Sequence, residues 1–183
     1  MYKRQLKKNP GKYSYASSGT GGIGHLQTEL FKSLAGVFMT HIPYRGAGPA
    51  LNDVVAGQVN MTLDNLPSSL PFIKDGRLKP LAVTSTKRLA ALPDTPTLTE
   101  LGLQDLEIGA WQGIVAPAGT PREVVDKVNS SMMTALKNPE FLSRLQVQQT
   151  TPLGSTPEDY GKYILAEIAR WDKVVKENGI TMN

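Results

Sequence analysis

From Tyr13 to Thr84, short strand-like runs alternate with helix-like runs, and small or polar residues stand at the strand-to-helix junctions. Tyr13–Ser17 reads as a strand, and Ile23–Ala35 as a helix with Leu26, Leu30, Phe31 and Leu34 at one-sided spacing. Gly36 stands just past its end, where glycine commonly stops a helix. Met39–Tyr44 is the next predicted strand. "RGAGPALNDVVAGQ" then turns into a helix with Leu51, Val54 and Val55 inward, stopped by Gly57. Val59–Leu63 follows as a strand, and Pro67–Asp75 as a short helix with proline at its start, where the missing N–H costs nothing. Leu78–Thr84 is a further predicted strand whose Pro80 marks an irregular start or an edge. A loop-rich stretch leads to an extended run over Leu106–Ala116. This order predicts an α/β fold with a parallel-rich sheet flanked by helices.

The last third changes character. Thr120-Pro121-Arg122-Glu123 has the spelling of a capping box, and its helix places Val124, Val125, Val128, Met132 and Leu136 on one stripe. Pro139 opens a short helix to about Leu145, with at most one short strand over Gln146–Thr150. Thr156-Pro157-Glu158-Asp159 caps a long final helix with Tyr160, Ile164, Ile168, Trp171 and Val175 inward. These amphipathic helices bring almost no sheet of their own, which points to an incomplete domain.

Composition narrows the functional classes. The 183 residues carry a net charge of +4. The densest basic cluster, Lys3 to Lys12, has no interleaved aromatics, so no nucleic-acid partner is expected. Cysteine is absent, which excludes disulfides, thiolate nucleophiles and Cys-ligated metals. No apolar run approaches the roughly 18 residues of a membrane helix. "MYKRQLKKNP" has no apolar segment after its charges and is not a signal peptide.

"YSYASSGTGGIGHLQTELF" contains Gly19-x-Gly21-x-x-Gly24 between a strand and a helix, the spelling of a dinucleotide-binding loop. The strand is half polar, and Tyr44-Arg45 stands where an acidic ribose partner is expected. Arg45 suits a 2′-phosphate, so an NADP-binding reductase is the alternative reading. The favoured one is an anion site. Ser17, Ser18, Gly19, Thr20, Gly21 and Gly22 precede a helix N-terminus, whose free amides and positive dipole end attract a carboxylate or phosphate. A tight turn without ligand is the plainer possibility. Tyr44-Arg45-Gly46 repeats the scheme at the next helix and adds an aromatic wall and a guanidinium suited to a carboxylate. Asp64-Asn65 either accepts a hydrogen bond from the ligand or caps the helix after it. His25 lies on the ligand side or packs against it, and His41 alternates within a strand. Neither has the partners catalysis requires. Trp111 is core or hinge packing, or a ligand contact.

Three stretches, "NPGKYSYASSGTGGIGHLQTELFKSLAG", "IPYRGAGPALNDVVAGQVNMTLDNLPSSLPFIKDGRLKPLAVTSTKRLAALPDTPTLTELGL" and "WQGIVAPAGTPREVVDKVN", resemble the extracytoplasmic solute receptors of the tripartite tricarboxylate transporter system, the Bug or TctC family. The resemblance covers Asn9 to Gly179. It implies a periplasmic binding protein of class II two-lobed architecture that captures a small organic carboxylate and hands it to membrane permease subunits, without a cofactor and without catalysis. By the same resemblance Ser17–Gly24, Tyr44–Gly46 and Asp64–Asn65 line the cleft. The family's signal peptide and most of its first lobe, including a "PFPPGG"-like loop, have no counterpart. The expectation is therefore an N-terminally truncated fragment: residues 1–11 an atypical remnant, 12–112 the second, ligand-binding lobe, and 113–183 the C-terminal helical part of an incomplete first lobe.

Overall fold

In a computed structural model of the chain, which describes residues 2–103, 110–148 and 150–181, three short parallel strands form one sheet. They are β1 (Ser14–Ser17), β2 (Thr40–Pro43) and β3 (Met61–Thr62), in the order β2-β1-β3. Register pairs Tyr15 with His41 and with Met61, and Ala16 with Ile42 and with Thr62. Successive side chains point to opposite faces of a strand. Tyr15 therefore faces one layer and Ala16 the other, and both are fully buried. On the first face Tyr15 and Met39 pack with Leu6, Phe31 and Val37. On the second, Ala16, Ala50 and Val59 pack with Ile42 and Val54.

Helices cover both faces. α1 (Tyr2–Lys8) and α2 (Ile23–Ala35) supply Leu6 and Phe31 to the first layer, while α3 (Ala47–Val55) supplies Ala50 and Val54 to the second. Residues 1–11, expected as a remnant, thus contribute a helix whose Leu6 is core. α4 (Leu66–Lys74) follows β3, with Pro67 in its first turn as predicted.

The sheet is smaller than expected. β3 is shorter than Val59–Leu63 because the Asn60 side chain, not a ladder carbonyl, accepts the Ser14 amide at 2.9 Å. Leu78–Thr84 forms no strand. Val83 makes a single parallel bridge to Thr97, consistent with Pro80 lacking the donor a ladder needs. Of the extended run predicted over Leu106–Ala116, residues 104–109 lie outside the described residues, and 110–116 have no regular structure.

The buried face of α2 also differs from its apolar stripe. Leu34 is exposed and Leu26 half-buried, whereas His25, Gln27, Thr28 and Glu29 are buried. Polar groups are tolerated there because each finds a partner. The Thr28 hydroxyl donates to the Gly24 carbonyl at 2.7 Å, and Glu29 accepts from Tyr15 and Lys32.

Two compact units are present, Met1–Ala110 with Lys173–Asn183, and Trp111–Asp172. The boundary at 110 lies beside the expected one at 112, but the C-terminal stretch groups with the first unit. α5 (Arg122–Ala135), α6 (Pro139–Val147) and α7 (Pro157–Glu177) make up the rest. The Thr156–Asp159 box forms, with the Asp159 amide donating to Thr156 Oγ1 at 3.1 Å and that hydroxyl donating to the Asp159 carboxylate. The Thr120–Glu123 box does not. Thr120 donates to the Pro117 carbonyl instead, and the helix begins at Arg122. Gln146 and Val147 belong to α6, not to a strand, and residue 149 lies outside the described residues. In α7, Ile168 is exposed and Val174, outside the predicted stripe, is the buried residue.

Candidate functional site

In a sheet ordered β2-β1-β3, the chain leaves β1 in one direction for β2 and crosses back for β3. The topological switch point therefore falls between β1 and β3, the place where open α/β sheets hold ligands. Ser17 to Gly22 leaves β1 here, Tyr44 to Gly46 leaves β2, and Leu63 to Asn65 leaves β3.

The three loops touch. Tyr44 N–H donates to the Ser17 carbonyl at 3.0 Å and Gly46 N–H to the Ser18 carbonyl at 3.1 Å, which joins the second loop to the first. On the other side Gly24 sits so close to β3 that a Cβ placed there would lie 2.6 Å from the Leu63 carbonyl oxygen. No side chain fits, and this is why the third glycine of the motif is required.

Within the first loop the backbone is partly spoken for. Gly21, with φ of 75°, donates its amide to His25 Nδ1 at 3.0 Å. Gly22 donates to the Gly19 carbonyl and Gly19 to Ser17 Oγ, both at 3.3 Å. Among the described residues, the amides of Ser18, Thr20, Ile23, Gly24 and His25 find no acceptor in the chain. Free first-turn amides carry the positive end of the helix dipole. Ser18 and Thr20 are exposed beside them.

Two predicted ligand residues turn their side chains inward. Ser17 is buried, its hydroxyl 2.6 Å from His41 Nε2 and donating to the Gly19 carbonyl. His25 is buried, stacked on His41 with ring centroids 3.9 Å apart. Burial lowers the proton affinity of both imidazoles, that of His41 to about 4, with the neighbouring His25 adding to the effect on His41. His41, expected to alternate within a strand in a packed or hydrogen-bonded structural role, has that role here. A second helical stripe, His25–Thr28–Glu29–Lys32, was the available signal for this polar interior.

The second loop keeps its cation outward. Arg45 is exposed, with no hydrogen-bond or ion-pair partner among the described residues. Tyr44 is fixed by donating to Asp53 Oδ2 at 2.6 Å, which raises the phenol's pKa. After β3, Asp64 accepts the Ser68 hydroxyl at 2.5 Å and so braces the start of α4, while exposed Asn65 caps nothing with its side chain. Trp111 packs edge-on against Tyr160 and Tyr163 and donates its indole N–H to Glu167 at 3.2 Å. Among the described residues no group of three or more His, Asp or Glu is placed to hold a metal.

The arrangement resembles known proteins along its whole length. The description "Tripartite tricarboxylate transporter family receptor" matches residues 2–180. A protein from Pseudomonas sp. (strain P51), described as "UPF0065 protein in tcbD-tcbE intergenic region", is 38% identical over 98% of this chain and 54% of its own length. The chain thus spans about half the length of such relatives. Among solved structures, "R. palustris Rpa4515 with adipate" is 39% identical with a TM-score of 0.88, covering 98% of this chain and 60% of that one. "MatC (Rpa3494) from Rhodopseudomonas palustris with bound malate" is 30% identical with a TM-score of 0.80, over 95% and 60%. The NADP alternative finds no support in these matches. A receptor description covering nearly every residue, on a fold shared with these solved structures, places the chain among the tripartite tricarboxylate transporter family receptors, the family to which it belongs.

Proposed function

We propose that this chain carries the carboxylate-binding loops of a periplasmic solute receptor, which captures a small organic acid without transforming it and passes it to the permease subunits of a tripartite transporter. One observation carries the reading: among the described residues the first-turn amides of α2 and the exposed Arg45 have no partner, and the loop that bears Arg45 is bonded through Tyr44 and Gly46 to Ser17 and Ser18. Both kinds of donor suit an oxyanion, and neither supplies a nucleophile or a base. The adipate and malate named for two similar structures are both dicarboxylates, which supports this ligand class.

In this reading the free amides of Ser18, Thr20, Ile23 and Gly24 hold one carboxylate, while Gly19, Gly21 and Gly22, whose own amides are engaged within the chain, shape the turn and leave room for it. Tyr44, Arg45 and Gly46 form one wall, and Asp64 and Asn65 the other. Ser17 and His25 support the loop from behind.

The test is calorimetric titration of the protein with mono-, di- and tricarboxylates, NADP and inorganic phosphate. A carboxylate should bind and NADP should not. Thr20→Asp, which adds a charge at an exposed position, should weaken the best carboxylate by about tenfold or more, since like charges ~4 Å apart cost ~1 to 4 kcal/mol between bulk water and a protein surface. Thr20→Asn should cost far less. Binding of NADP alone, or equal affinities for the two variants, would sink the proposal.

A further inference from the structure

The loop's shape depends on one side chain that faces away from the ligand. Gly21 adopts φ of 75° and points its amide back at His25 Nδ1, 3.0 Å away. That nitrogen accepts only as a lone pair, so the imidazole must be neutral, with its proton on Nε2. The ring cannot swing out freely. It is buried, stacked on His41 at 3.9 Å and 9°, and His41 is tied to Ser17 at the base of the same loop. The groups facing the pair are Glu29 and Lys32 from α2, Tyr15 and Ser17 from β1 and His41 from β2.

Their charges pull in both directions: the Glu29 carboxylate favours an imidazolium and the Lys32 ammonium opposes it. Glu29 lies 4.0 Å from His25 Nε2 but already takes the Tyr15 hydroxyl at 2.5 Å and the Lys32 ammonium at 2.7 Å. Burial dominates and lowers the pKa of His25. Folding thus weakens proton binding, so the stability this imidazole contributes is present at neutral pH and is lost as pH falls through its lowered pKa.

We propose that His25 is the positioning residue of the anion loop: its neutral Nδ1 captures the Gly21 amide, holds the turn, and thereby leaves the Ser18, Thr20, Ile23 and Gly24 amides free for a carboxylate. The role in affinity rests on the carboxylate reading above. The capture of Gly21 does not, and this separates the two.

Amide NMR of the ligand-free chain, titrated from about pH 8 to about pH 4, tests it directly. The Gly21 resonance should move with the same midpoint as the His25 ring, below the ordinary histidine range. His25→Asn keeps an acceptor near the Nδ1 position and should hold the Gly21 shift through the titration. His25→Leu should displace that shift at every pH. With adipate as probe, His25→Leu should bind about tenfold more weakly than the wild type, as expected when a preorganised hydrogen bond is lost, and His25→Asn should recover most of that loss. A Gly21 amide that ignores the His25 titration overturns the inference, and the wild-type experiment needs no variant to fold. Carboxylate affinity that is equal for the Leu and Asn variants also overturns it. If Gly21 follows His25 but no carboxylate binds the wild type, the receptor reading falls while the positioning role stands.

Discussion

At the residue scale, two glycines in matching places should respond differently to the same substitution. Gly24 and Gly48 both lie in the first turn of a helix that follows a strand-end loop. A Cβ at Gly24 would meet the Leu63 carbonyl at 2.6 Å, whereas at Gly48 nothing lies within 4 Å. Alanine gains up to about 1 kcal/mol over glycine in a helix, while overpacking costs about 1–3 kcal/mol. Gly24→Ala should therefore lose about 1–2 kcal/mol, because backbone rather than a mobile side chain must give way. Gly48→Ala should be near neutral, because its helix gain is offset by the new Cβ against the ring of Pro49. Urea denaturation midpoints decide it. A stabilised Gly24→Ala would mean that α2 slides on β3 without cost, and the contact would lose its meaning.

At the element scale, the order β1-α2-β2-α3-β3-α4 was legible because each junction carried its own punctuation, and the loops of the candidate site fell at those junctions. What the sequence left hidden were contacts set by register and packing. Nothing local pairs Tyr15 with His41, yet that register builds the histidine stack. Apolar spacing found only part of α2's inward face: Phe31 of the stripe packs on the core, but Leu34 is exposed and the buried His25, Thr28 and Glu29 are polar and internally satisfied. Trp111 was ambiguous for a similar reason, because its partners lie on α7. Both Trp111 and Trp171 donate their indole N–H to one oxygen of Glu167, each at 3.2 Å. Glu167→Ala would leave two half-buried donors without that acceptor, at a cost of about 1–3 kcal/mol. Glu167→Gln retains a carbonyl oxygen and should cost less than half as much. Tryptophan emission followed through unfolding measures both, and a Glu167→Ala transition that coincides with wild type would show that the shared carboxylate holds nothing.

At the scale of the whole molecule, the two units differ in how much they bury. In the first, Tyr15, Ala16 and Met39 are fully inaccessible, and helices cover both sheet faces. In Trp111–Asp172, neither α5 nor α6 has a buried residue, and Val124 and Val128 of the predicted stripe remain 46% and 44% exposed. Local opening free energies follow buried apolar contact, from near zero at loosely packed elements up to the global stability in the core. Native-state amide exchange of the 183-residue chain should accordingly protect β1 and α2 most. The α5 and α6 amides should open at about 2 kcal/mol less, roughly thirtyfold faster. A carboxylate that binds at the β1–α2 loop should raise protection there by an amount set by its concentration over Kd, and should leave α5 and α6 as they were. Equal protection across β1, α5 and α6 without ligand would contradict this picture. It would mean that the exposed valine stripe is covered in solution, and that stability is spread through the chain rather than anchored on the sheet that carries the site.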